Sequence, residues 1–284
     1  MSRGNVDRVV ADGAKIAHRL SQMETMSSFF PWMGGKLRVA KRLCELLPEH
    51  GCYVEVFAGA ANLLFVKEKS KVEAINDINA ELINLFRVVR SHRREFMREL
   101  MLVTQSRDIF ADYRRQPGLT DIQRAARSYF IMKAAFGGKG GTSHPDYGYG
   151  TTGRARFSRN MFSAVNRCHK RLDGVYIENL PFEDCLRRYD RPHTVFFCDP
   201  PYLDTGGYKE QFRPADHDRL AAILTNIKGK FLLTINNHPK IRALYKKFST
   251  LKVKVRYSVS RDKSMKARER TELVIANYPL PKRW

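Results

Sequence analysis

The segment "FFCDPPY" puts an acid, two prolines and an aromatic ring at the end of an apolar run: Asp199, Pro200, Pro201 and Tyr202. Proline fixes the backbone and carries no N–H. Carbonyls beside Asp199 therefore have no local donor to claim them. A carboxylate and a fixed carbonyl make two acceptors held together, which matches the two N–H donors of an –NH₂ group. Tyr202 adds a flat face on which a planar ring can stack. The set suits a heteroaromatic amine, such as adenine or cytosine turned out of a helix. The plain alternative is a stiff turn after a core strand.

Two other strand ends carry useful residues. In "EVFAGAANLLF" a glycine, Gly59, follows a buried run. It lets the chain turn sharply and approach a ligand closely. The triple-glycine phosphate fingerprint is missing, so a ligand without a pyrophosphate fits better. In "AINDIN" the acid Asp77 ends the second strand about 20 residues later, where carboxylates commonly accept from a ribose diol. Asp77 is equally suited to capping the helix "AELINLF", a task that Asn79 can take instead.

The elements that must position these residues alternate in type. Residues 37–47 place Leu37, Ala40, Leu43, Cys44 and Leu47 on one helical face, closed by Pro48. "CYVEVFAG" and "KVEAIND" read as strands, "ANLLFVKE" and "AELINLFRVVR" as helices. That alternation predicts βαβ units and a parallel sheet. It breaks between about 92 and 174, where helices over 92–103, 121–136 and 160–172 surround the glycine-rich "FGGKGGTSHPDYGYGTTGRARFSRN". Strands resume at 175–179, 194–201 and 231–237. "LKVKVRYSVS" and "TELVIANY" suit an antiparallel hairpin at the sheet edge. The expected fold class is α/β with one mostly parallel sheet, an antiparallel edge hairpin and a helical, loop-rich insertion. The expected boundaries are an N-terminal arm at 1–27, a catalytic unit at 28–92 and 174–284, and the insertion at 93–173.

The 284 residues are 43% hydrophobic, enough for a sizeable core, and carry a formal charge of +22 spread along the chain. A domain this basic points to a polyanion, nucleic acid before others. The five cysteines, Cys44, Cys52, Cys168, Cys185 and Cys198, form no CxxC pair. That argues against a disulfide framework or a zinc knuckle and for a reducing, cytoplasmic setting. No apolar run approaches the ~20 residues that span a bilayer. The expectation is no membrane association, no metal and no obligate protein partner.

Taken together, "PWMGGK", "FAGA" and "DPPY", in that order, resemble the amino-methyltransferases of DNA, in the D12-class group that includes the Dam adenine methylases. "INNHP", "KVRYSVS" and "ERTELVIANY" are similar to the tail segments of that group. The resemblance covers about 28–92 and 175–280. It implies a Rossmann-like methyltransferase sheet and a methyl group moved from S-adenosylmethionine to N6 of a flipped adenine in double-stranded DNA. N4-cytosine methylation and a catalytically silent DNA-binding protein of the same fold stay open beside it. Asp199, where cytosine enzymes of this kind more often have Ser, favours adenine. Phage, restriction–modification and solitary settings all fit.

Residue by residue, the resemblance puts Trp32 and Lys36 on the cofactor, the lysine near its carboxylate end. Phe57 and Gly59 line the cleft, Asp77 holds the ribose hydroxyls, and Phe182 of "NLPFED" lies against the cofactor adenine. Asp199 borders the cofactor and, with Pro200, Pro201 and Tyr202, holds the target base. One departure stands out: the family reads FxGxG, and this chain has Ala61 in place of the second glycine. Its methyl group either crowds the cofactor or stiffens the turn. The insertion is expected to read DNA through Lys139, Tyr147, Tyr149, Arg154, Arg156 and Arg159, with phosphate contacts from basic groups and wedging by aromatics. The basic run "SRDKSMKARER", 260–270, is expected to follow phosphates.

Overall fold

The computed structural model describes residues 28–149, 155, 157–158, 161–204, 212–256 and 269–284. The N-terminal arm at 1–27 and most of the basic run at 260–270 lie outside the described residues. Seven strands build one sheet: β1 (Cys52–Glu55), β2 (Val72–Asn76), β3 (Tyr176–Glu178), β4 (Thr194–Cys198), β5 (Lys230–Asn236), β6 (Ser249–Arg256) and β7 (Glu269–Ala276). Their order is β3-β2-β1-β4-β5-β7-β6. The first five strands are parallel, and β7 runs antiparallel between β5 and β6. The fold class is thus a mixed α/β sheet with an antiparallel edge. The chain winds outward from β1 to β3 and then returns to β4 on the other side of β1. Connections leave β1 and β4 in opposite directions there, which opens a crevice at their carboxyl ends.

The central strands are buried on both faces, and successive residues feed opposite cores. Tyr53, Phe197 and Leu232 join one cluster, Val54, Phe196 and Leu233 the other. Ten helices flank the sheet among the described residues: α1 (Ala40–Glu45), α2 (Asn62–Val66), α3 (Ala80–Ser91), α4 (Arg93–Met101), α5 (Arg107–Arg115), α6 (Asp121–Ala134), α7 (Met161–Arg171), α8 (Phe182–Tyr189), α9 (Pro214–Asn226) and α10 (Pro239–Leu244). Asn79 caps α3 by accepting from the Leu82 N–H at 2.9 Å. Thr120 and Gln123 form a capping box on α6.

Helices α3 to α7 share a core with the sheet. Phe86, Phe96, Tyr129 and Val165 sit in the same cluster as Tyr53 and Val195. Phe29, ahead of the GGK segment, stacks on Tyr129 at 5.6 Å between centroids, and its carbonyl accepts from the Tyr129 hydroxyl at 3.2 Å. The insertion therefore fixes where the GGK segment runs.

Three expectations change. The helix expected over 37–47 is only α1, and Leu37 is 48% exposed, because residues 32–39 turn so that Lys36 points inward. Helix α5 goes unread in the sequence because Phe110 is its one buried residue, too few to announce a stripe. The described part of the glycine-rich segment, 136–149, is tied to the helical core. It closes back on α6 through an Ala135–Tyr147 bridge, a Phe136 N–H to Asp146 bond at 2.8 Å and a Gly148 N–H to Ala134 bond at 2.7 Å.

A buried charge cluster ties α7 to the sheet. Arg171 donates two bonds to Glu73 of β2, at 2.5 and 2.8 Å, and Lys67 donates a third at 2.6 Å. Burial pushes the Glu73 carboxyl up, but the Arg171 and Lys67 bonds outweigh it and hold it below its ordinary value. A carboxyl lowered by folding contributes stability above its unfolded pKa and loses it as pH falls through its folded one. Arg171→Leu is expected to cost about 3 kcal/mol in urea unfolding at neutral pH, since one partner of a buried pair is removed. The deficit should shrink as the pH is lowered below 4.5, the ordinary value for Glu73.

Candidate functional site

At the carboxyl ends of β1, β2 and β4 lies a cavity of about 270 Å³. It is bordered by Trp32 and Lys36 ahead of α1, Phe57 and Gly59 after β1, Asp77 after β2, Phe182 at the start of α8, and Asp199 after β4. These seven residues come from five separate stretches of chain. They are the seven that the sequence singles out for a cofactor. A single apolar cleft with a few convergent polar groups is the usual form of a small-molecule site.

The turn after β1 is held by Asp77. One carboxylate oxygen accepts the Gly59 N–H at 2.9 Å, and the other accepts the Asn79 N–H at 2.9 Å. Asn79, not Asp77, caps α3. Gly59 has φ +48°, and a Cβ there would lie 2.7 Å from the Trp32 Nε1. Gly141, in the glycine-rich segment, approaches the same indole from elsewhere: a Cβ would lie 2.5 Å from its Cζ3. The Trp32 ring is thus gripped between the β1 turn and the insertion. Ala61 has φ 50° and ψ 42°, a left-handed conformation that costs an L-residue about 1–2 kcal/mol. Its methyl group is fully buried in the core cluster with Leu64 and Phe65. The extra carbon at the second family glycine therefore strains the turn and packs into the core, and the residues facing the cavity are its neighbours Ala60 and Asn62.

One wall is aromatic. Phe57, Phe182 and Phe212 lie 5.5–5.6 Å apart, centroid to centroid. Arg219 of α9 closes the rim, paired with Glu183 at 2.9 Å and Asp216 at 2.6 Å. On the floor, Glu55 accepts from the Tyr53 hydroxyl at 3.0 Å and from the Leu64 N–H. Burial raises its carboxyl to about 7 against those bonds.

Asp199 is the most engaged acid of the site. Lys36 Nζ lies 2.9 Å from one oxygen and 2.8 Å from the other, and Thr234 of β5 donates to Oδ1 at 2.7 Å. Lys36 also donates to the Gly34 carbonyl at 2.9 Å. The Lys36 ammonium lies 5.0 Å from the centre of the Tyr202 ring. The face that the sequence offers for stacking is therefore covered by a cation. Pro201 borders the cavity, whereas Pro200 is buried. Downstream, Asn236 of β5 grips Leu203, accepting its N–H at 3.2 Å and donating to its carbonyl at 2.9 Å. The Asp-Pro-Pro-Tyr segment is thus held from both ends.

Of the residues expected to read DNA, Lys139 is exposed and Tyr149 is 74% exposed. Tyr147 packs edge-on against Phe110 at 5.4 Å, under the Arg107 guanidinium. Arg107 also covers Tyr149, at 5.3 Å. Arg154, Arg156 and Arg159 lie outside the described residues. Sequence reasoning missed Thr234, Asn236, Phe212, Arg219 and Glu272. Thr234 carries a usable signal, a polar residue inside an apolar strand pattern, whereas Glu272 follows other polar residues and carries none. Phe212 and Arg219 carry none, since only the fold brings α9 to the cavity.

The family profile described as D12 class N6 adenine-specific DNA methyltransferase matches residues 32–259. The chain is 27% identical over 243 residues to the DNA N-6-adenine-methyltransferase of Escherichia phage P1, covering 77% of this chain and 31% of that protein. It is 25% identical over 276 residues to the Type II methyltransferase M1.LlaDCHI of Lactococcus lactis subsp. cremoris, covering 88% and 95%. It is 24% identical over 254 residues to the DNA adenine methylase of Escherichia coli (strain K12), covering 84% and 91%.

The grip on Trp32 is testable by its fluorescence, with the second tryptophan of the chain removed as Trp284→Phe. Gly141→Ala must displace the indole, and the Trp32 emission should shift. Ala61→Gly should leave the emission unchanged, because that methyl group lies in the core.

Proposed function

The chain belongs to the D12 class of N6 adenine-specific DNA methyltransferases, an enzyme that modifies DNA, and from that premise we propose how its site works: S-adenosylmethionine fills the cavity over β1 and β2, and an adenine turned out of the duplex presents N6 to Asp199. The observation that carries this reading is the convergence of Trp32, Phe57, Gly59, Asp77, Phe182 and Asp199 on one cavity beside a rigid acid. The cavity suits the cofactor in kind. Asp77 offers a carboxylate already oriented by two N–H groups for the ribose hydroxyls. The Phe57–Phe182–Phe212 wall offers faces and edges for the adenine ring. When bound, the cofactor supplies a methyl group made electrophilic by its sulfonium.

Asp199 and the Pro200 carbonyl accept the two N–H bonds of the target amine. That favours a pyramidal nitrogen and frees the lone pair that is otherwise delocalised into the ring. The same acceptors stabilise positive charge as it develops on nitrogen. Prolines and the Asn236 grip on Leu203 keep them in place, so the chain contributes alignment more than bond chemistry. Tyr202 stacks on the extruded base once Lys36 has left its face.

DNA lies over the side that bears the glycine-rich segment. Lys139 meets phosphate and Tyr149 meets bases, whereas Tyr147 supports the loop through Phe110. The net charge of +22 fits a duplex partner whose affinity falls steeply with salt.

Nucleoside mass spectrometry of DNA from cells expressing the chain tests the reaction. N6-methyladenine is expected, whereas N4-methylcytosine or unmodified DNA would contradict it. Asp199→Ala should lower methyl transfer by about 10³-fold, the scale of losing a main electrostatic group, with most DNA affinity retained. Asp199→Asn should be nearly as inactive, since an amide can turn an N–H toward the amine. Lys139→Ala should weaken DNA binding and lower the salt slope by about one. Tyr147→Ala should lower stability more than DNA affinity.

A further inference from the structure

The Lys36 ammonium stands where the substrate amine has to go. It bonds both oxygens of Asp199, at 2.8 and 2.9 Å, and lies over the Tyr202 face at 5.0 Å. An amine that bonds Asp199 while its ring stacks on Tyr202 needs the same volume. Asp199 also accepts from Thr234 at 2.7 Å, so its acceptor capacity is largely used. Lys36 has to yield, yet its side chain is only 5% exposed. A buried ammonium separated from its counter-ion carries a large desolvation cost unless another anion receives it.

Glu272 is placed to be that anion. It sits in the middle of β7, 4% exposed, where the polar start of the strand gives way to the apolar run 273–276. Its cross-strand partner on β5 is Asn236, two residues from Thr234. Cross-strand partners share a sheet face, as do residues two apart on a strand. Glu272 therefore lies on the face that holds Thr234 and, through it, Asp199. The charged and titratable groups facing it are Lys36 from the GGK segment and Asp199 and Tyr202 from the turn after β4. Asn236 of β5 and Val253 of β6 are its register neighbours. Burial raises its carboxyl above the ordinary value, Lys36 draws it down and Asp199 pushes it up again. Lys36 thus pairs with Asp199 and lies within electrostatic reach of Glu272.

We propose that Glu272 is a positioning residue that receives the Lys36 ammonium when the substrate amine replaces it on Asp199. The exchange moves a cation between two carboxylates and makes or breaks no covalent bond. It hands the Asp199 oxygens to the amine and clears the Tyr202 face when the base arrives. The inference rests on the reading of the site given under Proposed function. A purely structural Glu272, holding Tyr202 alone, would act through stability and not through the base-binding step.

The test uses the full chain, S-adenosylmethionine and duplex DNA bearing the target sequence found by methylation-sensitive sequencing. Glu272→Gln keeps shape and acceptor but loses charge. It should lower kcat roughly tenfold, the step from a charge-assisted to a neutral hydrogen bond, with little change in KM for the cofactor. The acid limb of the wild-type kcat profile should vanish, because the group whose protonation strands Lys36 is gone. A 2-aminopurine next to the target adenine, which brightens when that adenine leaves the stack, should brighten less with Glu272→Gln than with wild type, a readout independent of turnover. Glu272→Asp, which keeps the charge, should restore part of both signals and serves where Glu272→Gln does not fold. Superimposable pH profiles and equal 2-aminopurine signals would overturn the inference while wild-type methylation stands. A wild-type chain that transfers no methyl group would instead overturn the reading of the site itself.

Discussion

The ion pair between Lys36 and Asp199 joins two parts of the chain that are 163 residues apart. One part enters through Phe29 and Phe30, locked into the helical core against Tyr129 and Phe86. The other leaves the carboxyl end of β4, at the place where the sheet changes winding direction. Burying both charges is costly, and partial pairing would be worse than none. The cost is met by completeness: the ammonium reaches both carboxylate oxygens and the Gly34 carbonyl, and Thr234 supplies a further donor. The outcome is an acid held at a fixed position beside the cavity before any substrate arrives. Preorganisation of that kind is what electrostatic catalysis requires.

The rest of the molecule serves this placement. Asp77 fastens the turn that opens the cavity, and the glycines at 59 and 141 allow two separate segments to close on Trp32. Gly141 belongs to the same closed segment as Lys139 and Tyr149, so that segment and the turn after β1 meet on one indole ring. The insertion shares its core with the sheet as well, through Phe86, Tyr129 and Phe29. The helices of 93–173 and the sheet are therefore mechanically continuous.

Much of this is legible in the sequence because the chemistry sits at strand ends. Asp77, Gly59 and Asp199 each end an apolar run, and apolar runs with β-branched and aromatic residues are the easiest elements to read. The antiparallel hairpin at the edge is legible for the same reason. What escaped depends on register and crossing. Thr234 and Glu272 matter because β7 pairs with β5 at Asn236, and no periodicity within either strand reveals that pairing. Phe212 and Arg219 reach the cavity only because α9 packs beside α8. Tyr147 looks like a DNA contact by composition, yet Phe110 claims its ring. Lys36 reads as a cofactor contact, and its inward turn onto Asp199 follows from a bend over 32–39 that a helical spacing at Leu37 disguises.

The most direct test of the central claim is a crystal structure of the full chain with the cofactor analogue sinefungin and a duplex carrying its target adenine. The account predicts an extrahelical adenine with N6 in hydrogen-bond contact with an Asp199 oxygen and the Pro200 carbonyl, its ring on Tyr202 and Lys36 displaced from that face. An adenine seated elsewhere, with Lys36 still on both Asp199 oxygens, would contradict it.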